Sequence, residues 1–174
     1  KNKTKEQQLK ILTNDLGKGS NKFIINDIKI YGLHNRDSIL NIEYDFDLND
    51  YAKLVNNNLY INPHLSKPYY NDLIDISLRM NVPLEIPYKK KVISENRFKI
   101  PPGFELTSLP QNVSGTYGGL SFKIDYKIKD DQVIMVQTIM NDTIMIYPDE
   151  FVQWNKFVKS LNYAYNQVLV FTKS

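Results

Sequence analysis

The chain has 174 residues, 42% hydrophobic and 24% charged, with no cysteine, two histidines and a formal charge of +3. These counts exclude a thiol nucleophile, a redox pair, a cysteine-held metal or cluster and a three-histidine metal site. No apolar run is long enough to cross a membrane as a helix, and the charge is too small to imply a nucleic-acid partner.

The length suits one domain that buries its own core. The opening Lys1-Asn2-Lys3 has neither Met nor an apolar leader, which reads as a processed product or an excised piece of a longer protein. Thr4 and Gln7 have the spacing of a capping box. Leu9, Leu12 and Leu16 follow at helical spacing, and Gly17 and Gly19 supply a stop, so a helix is predicted over about 4–16. The period then changes. Phe23 to Ile30 is β-rich, Asn35 to Ser38 marks a turn, and Leu40, Ile42, Tyr44, Phe46 and Leu48 alternate with Asn41, Glu43, Asp45 and Asp47. Strict alternation is the pattern of a half-buried antiparallel strand, and the polar row reads as its solvated face rather than a cation site.

Asn56-Asn57-Asn58 is a turn, and Leu59 to Asn62 is a short strand closed by Pro63. Residues 64–79 fit neither period cleanly. Pro83 and Pro87 bracket an extended piece, and Lys90 to Ile100 is a strand whose Lys89-Lys90-Lys91 run suits an exposed sheet edge. Pro101-Pro102-Gly103 turns the chain. Val113 to Tyr117, Gly118-Gly119 and Leu120 to Ile128 form a hairpin unit, with Leu120, Phe122, Ile124, Tyr126 and Ile128 on one face. Two more strands follow over Val133–Met140 and Thr143–Tyr147. Pro148 stands where a first helical residue often does. Phe151, Trp154, Val158, Leu161 and Tyr165 then predict a helix over about 149–166, and Val168 to Phe171 a final buried strand. The expected fold is mainly β: an antiparallel, sandwich-like domain with an N-terminal helix and one helix near the C-terminus.

Motifs for chemistry are missing. There is no GxSxG, HExxH, GxxxxGK or GxGxxG. Thr116 to Gly119 lies between strands, where a hairpin turn explains its glycines. Asp130-Asp131 and Asp149-Glu150 suit a turn and a helix start. His34 and His64 both read as surface-loop residues. No catalytic residue, metal ligand or cofactor site is expected. The chain contains 12 tyrosines, a residue type that suits β-sheet surfaces, and Tyr69, Tyr70, Tyr88 and Tyr117 fall in loops or at strand ends. Loop aromatics of this kind can stack on sugars or hold peptides, which makes these four the candidate ligand-binding residues.

The last two thirds has a recognisable cadence. Leu59-Tyr60-Ile61-Asn62-Pro63 comes first, then Arg79 ahead of Val82-Pro83-Leu84. Phe98-Lys99-Ile100 runs into Pro101-Pro102-Gly103-Phe104 and on to Leu109-Pro110. Ile146 to Phe151, the helix Trp154 to Tyr165 and a closing strand to Lys173 complete it. This resembles the C-terminal β domain of bacterial transglutaminase-like envelope proteins, in which an N-terminal β domain of unknown function precedes a papain-like core. The resemblance implies that residues 1–20 are a linking helix from a preceding domain and 21–174 a single β-rich domain. It implies a non-catalytic accessory role: the family's Cys-His-Asp triad belongs to the core, and this chain has no cysteine. The implied partners are that catalytic core in the same parent chain and a protein or glycan of the cell wall. The implied location is the periplasm or cell envelope. A free-standing extracellular glycan- or peptide-binding module using the loop tyrosines is the alternative.

Overall fold

The computed structural model describes residues 4, 7, 10, 23–32, 41–78 and 82–174. It divides into two compact units, Lys1–Ala52 and Lys53–Ser174.

In the first unit, β1 (Phe23–Tyr31) pairs antiparallel with β2 (Asn41–Leu48), from Phe23 opposite Leu48 to Tyr31 opposite Asn41. The alternation predicted for β2 is present: Ile42, Tyr44, Phe46 and Leu48 are half-buried, and Asn41, Glu43, Asp45 and Asp47 are exposed. Phe23 stacks on Phe46 with ring centroids 4.8 Å apart, a cross-strand aromatic pair on the apolar face. The capping box also forms, with the Thr4 N–H donating to Gln7 Oε1 and the Gln7 N–H to Thr4 Oγ1. The remainder of the expected 4–16 helix, His34 and the turn at 35–38 lie outside the described residues.

Among its described residues the second unit is mainly antiparallel β with one α-helix. Its largest sheet has the order β6 (Lys90–Lys99), β10 (Gln132–Asn141), β9 (Leu120–Lys129), β8 (Val113–Tyr117). The β9–β10 turn is only Asp130-Asp131, with Asp130 left-handed at φ 56°. The β8–β9 turn uses Gly118 at φ 61°, where a side chain would be strained. A second sheet has the order β3 (Lys53–Val55), β4 (Asn58–Ile61), β12 (Leu169–Lys173), β7 (Phe104–Ser108). A short pair joins β5 (Leu84–Glu85) to β11 (Met145–Ile146). Strand β6 is at a sheet edge, as its lysine run suggested; Lys89 is paired with Asp142 at 2.9 Å.

A 3₁₀ turn at Pro148–Glu150 leads into α1 (Phe151–Tyr165). Phe151, Trp154, Phe157, Val158, Leu161, Ala164 and Tyr165 form its buried stripe. They pack on Leu120, Phe122, Ile124, Tyr126, Met135 and Ile139 of the large sheet. A smaller core of Val133, Leu169 and Phe171, with Leu59, Ile61, Phe98 and Leu106, joins the two four-stranded sheets. The helix therefore covers most of the large sheet's inner face, and the second sheet takes one end of it. The inward row of β10 runs through both cores as Val133, Met135, Gln137, Ile139 and Asn141. Among the described residues no helix is long and apolar enough to cross a membrane.

Candidate functional site

Between β4 and β5 the chain runs from 62 to 83 without helix or strand among the described residues. Such a segment must find partners for its backbone polar groups elsewhere. Local turns supply some of them, and helix α1 supplies others. Trp154 Nε1 donates to the Asp72 carbonyl at 2.6 Å. Asn155 binds Ile74 twice: its Oδ1 accepts the Ile74 N–H at 2.8 Å and its Nδ2 donates to the Ile74 carbonyl at 2.9 Å. Asn162 Oδ1 accepts the Asn71 N–H at 3.2 Å, and the Tyr165 hydroxyl donates to the Pro68 carbonyl at 3.0 Å. Asn62 Nδ2 donates to the Tyr165 carbonyl at 2.7 Å. Residues 154, 155, 162 and 165 lie on adjoining parts of one helix surface, so the helix acts as a rack of side chains on which the segment hangs.

This docking creates a groove of about 410 Å³, walled by residues 69–75 on one side and 84–90 on the other, with Trp154 at its base. Tyr69 is its best-fixed member. Its φ of 61° is unusual for a bulky residue, and ring packing holds it there. The ring meets Trp154 edge-on at 5.4 Å and Phe157 at 5.8 Å, and Lys90 Nζ sits 4.6 Å from its centroid. Burial pushes the Tyr69 phenol up; the Asn141 amide pulls the other way, and the Asp72 carboxylate adds to the rise. The Tyr69 hydroxyl and Asn141 Nδ2 are both buried, and neither makes a hydrogen bond among the described residues. Across the groove Tyr88 is 63% exposed. Asp72, Asp75, Glu85 and Lys90 supply the charge.

The four candidate tyrosines therefore separate. Tyr69 and Tyr88 share the groove. Tyr70 lies outside it, against Tyr165 and beneath Lys67 Nζ. Tyr117 is part of the core: its ring packs on Phe157 and its hydroxyl meets Ser160 Oγ at 2.8 Å. As the last residue of β8 it points to the helix side, a placement its turn-end position did not reveal.

His64 corrects the surface-loop expectation, being only 2% exposed. After Pro63 the chain bends: Asn62 Oδ1 accepts the His64 N–H at 2.9 Å, and Asn96 Nδ2 donates to the Pro63 carbonyl at 3.0 Å. The bend turns the imidazole inward. Its Nδ1 is 3.0 Å from Gln137 Oε1 and its Nε2 2.9 Å from the Tyr126 hydroxyl. With Gln137 Nε2 turned to the Ser66 carbonyl, Gln137 Oε1 can only accept, so the proton is assigned to Nδ1. Nε2 then accepts from the Tyr126 hydroxyl. Burial lowers the His64 pKa to about 4, with the Gln137 hydrogen bond opposing and the Lys67 charge assisting. Burial also pushes the Tyr126 phenol up to about 12. A neutral, doubly bonded imidazole in a closed chain is a structural element. The signal for it was Gln137 itself, a polar residue between Met135 and Ile139 on the inward strand row, which demanded a buried partner. Among the described residues no group of three His, Asp or Glu side chains converges as a metal site.

A family model described as a domain of unknown function with a solved structure, DUF3858, matches residues 57–171. No curated protein matches the chain. One solved structure, described as a "putative protease" from Parabacteroides distasonis ATCC 8503, is similar at a TM-score of 0.47 and 15% identity, over 53% of this chain and 18% of that one. The chain thus spans less than a fifth of that protein's length.

Proposed function

We propose, for a chain that belongs to the DUF3858 family, the role of a non-catalytic accessory β domain of a transglutaminase- or cysteine-peptidase-like protein of the periplasm or cell envelope. In this reading it packs on the catalytic core of the same parent protein and helps position a protein or cell-wall partner. The observation that carries the non-catalytic part is the state of His64. It is bonded at both ring nitrogens, buried and held neutral, so it is unavailable as a general base. There is no cysteine for it to activate. The groove offers the packed Tyr69 ring, the exposed Tyr88 ring and carboxylates, which suits binding. The cadence resemblance supports the accessory part.

Two measurements test the reading. The isolated chain should neither incorporate an amine into a glutamine peptide nor cleave fluorogenic peptides above buffer. The parent gene should encode, ahead of this segment, a cysteine-bearing core that binds the isolated chain in trans. Turnover by the chain alone, or a parent frame with no such core, overturns it.

A further inference from the structure

We infer that the free edge of β5 in the groove receives an extended, lysine- or arginine-bearing peptide segment as an added strand. The inference concerns the groove alone and does not rest on the accessory reading.

The backbone directions come from the pairing of β5 with β11. Leu84 is opposite Ile146, Glu85 opposite Met145, and the Ile86 N–H donates to the Ile144 carbonyl at 2.9 Å. In an antiparallel pair the bonded positions alternate, so Leu84 and Ile86 face β11 and the Glu85 N–H and C=O face away from it. The equivalent groups of Met145, on the far side of β11, are taken by the Thr143 hydroxyl, at 3.3 Å for the N–H and 2.7 Å for the C=O. Those of Glu85, a residue that lines the groove, have no second strand beside them among the described residues. Pro83 and Pro87 have no N–H, so Glu85 is the one backbone donor on this edge, flanked by carbonyls. The edge suits a short strand and resists open-ended sheet growth.

Charge selects the occupant. Asp72, Asp75 and Glu85 line the groove, and none of the three is ion-paired among the described residues. Lys90, the one cation among the described lining residues, lies over the Tyr69 ring. Asp75 accepts from the Ser77 N–H and hydroxyl, but no cation neutralises the three carboxylates among the described residues, and an acceptor-rich edge beside them favours a donor-rich, cationic chain. A sugar is the poorer fit, because it needs open aromatic faces. Tyr69 is closed in by Trp154, Phe157 and Lys90, and Trp154 is buried, which leaves Tyr88 as the one exposed ring.

The test uses ¹⁵N-labelled protein titrated with an acetylated octapeptide alternating lysine and valine. Its glutamate counterpart, a backbone N-methylated version and an N-acetylglucosamine hexamer serve as comparisons. The lysine peptide should shift the amides of Glu85, Tyr88 and Leu73 and slow exchange at the Glu85 amide. Its affinity should exceed those of the glutamate and N-methylated peptides by about ten-fold or more, one hydrogen-bond or charge contact's worth. Glu85→Lys, an exposed and fold-neutral change, should lower it by a similar factor. Equal affinity for all peptides, no shift at millimolar lysine peptide, or the same amides moving with the hexasaccharide instead would overturn the inference.

Discussion

The large sheet with its helix and the segment from 62 to 83 are built by different rules. Every residue of β10 pairs with neighbours on both sides, β6 and β9, and its inner row is sealed by α1. Among its described residues the 62–83 segment has no ladder of its own. Beyond the buried His64 and the packing of Tyr69 and Ile74, it is attached by separate side-chain bonds from Trp154, Asn155, Asn162 and Tyr165, each worth on the order of 1 kcal/mol. The lesson is that one wall of the groove, 69–75, belongs to the hanging segment, while its base and the 84–90 wall belong to the helix and to paired strands. The wall at 69–75 can yield without the sheet opening, which suits a binding surface.

The sharpest contrast is in energy. Phe157 is fully buried and touches Tyr69, Tyr117, Phe122 and Trp154. Phe157→Ala should cost about 4 kcal/mol in urea unfolding, the usual range for a buried aromatic truncation. A loss below about 1 kcal/mol would mean that the helix is not the sheet's main cover.

The His64 junction, where the two regions meet, should give the next largest effect through pH. The folded-state pKa is about 4, against about 6.5 in an unfolded chain. The unfolded state therefore binds the proton first. The contribution is fully present above about pH 6.5, declines as pH falls toward 4, and is level below that. At about 1.4 kcal/mol per pH unit, the loss across this window reaches about 3 kcal/mol. Chemical denaturation at several pH values checks it, and His64→Asn should flatten that slope. Within the same junction, Gln137→Ala leaves the His64 Nδ1 proton without its acceptor and should cost about 2 kcal/mol.

Asn155→Ala should cost only about 1–2 kcal/mol, all of it in the hanging segment. The smallest effect belongs to exposed ion pairs such as Lys123 with Asp125. Lys123→Ala should change stability by less than about 0.5 kcal/mol.

These differences also mark what the sequence could disclose. Strands β2, β6, β9 and β10 and helix α1 were legible because period-two and period-3.6 rows are written locally, as in Leu120, Phe122, Ile124 and Tyr126. Strand β3 was missed: Lys53, Leu54 and Val55 are all exposed and too few to show a period. The course of 64–78 was illegible because its order comes from Asn155, Asn162 and Tyr165, far along the chain. Tyrosine in a loop pointed to the groove at Tyr69 and Tyr88. It failed to separate them from Tyr117, whose neighbours on α1 are equally remote in sequence. His64 looked like a loop residue because local sequence does not show that a bend at Pro63 feeds a strand row containing Gln137.

The most direct test of this division is native-state hydrogen exchange at the Ile74 amide, whose acceptor is the Asn155 side chain. The account predicts that Ile74 opens at a free energy well below that of the Ile124 and Ile139 amides in the sheet. Asn155→Ala should abolish its protection while leaving theirs unchanged. Ile74 exchanging together with the sheet, with the same dependence on denaturant and no response to Asn155→Ala, would contradict it.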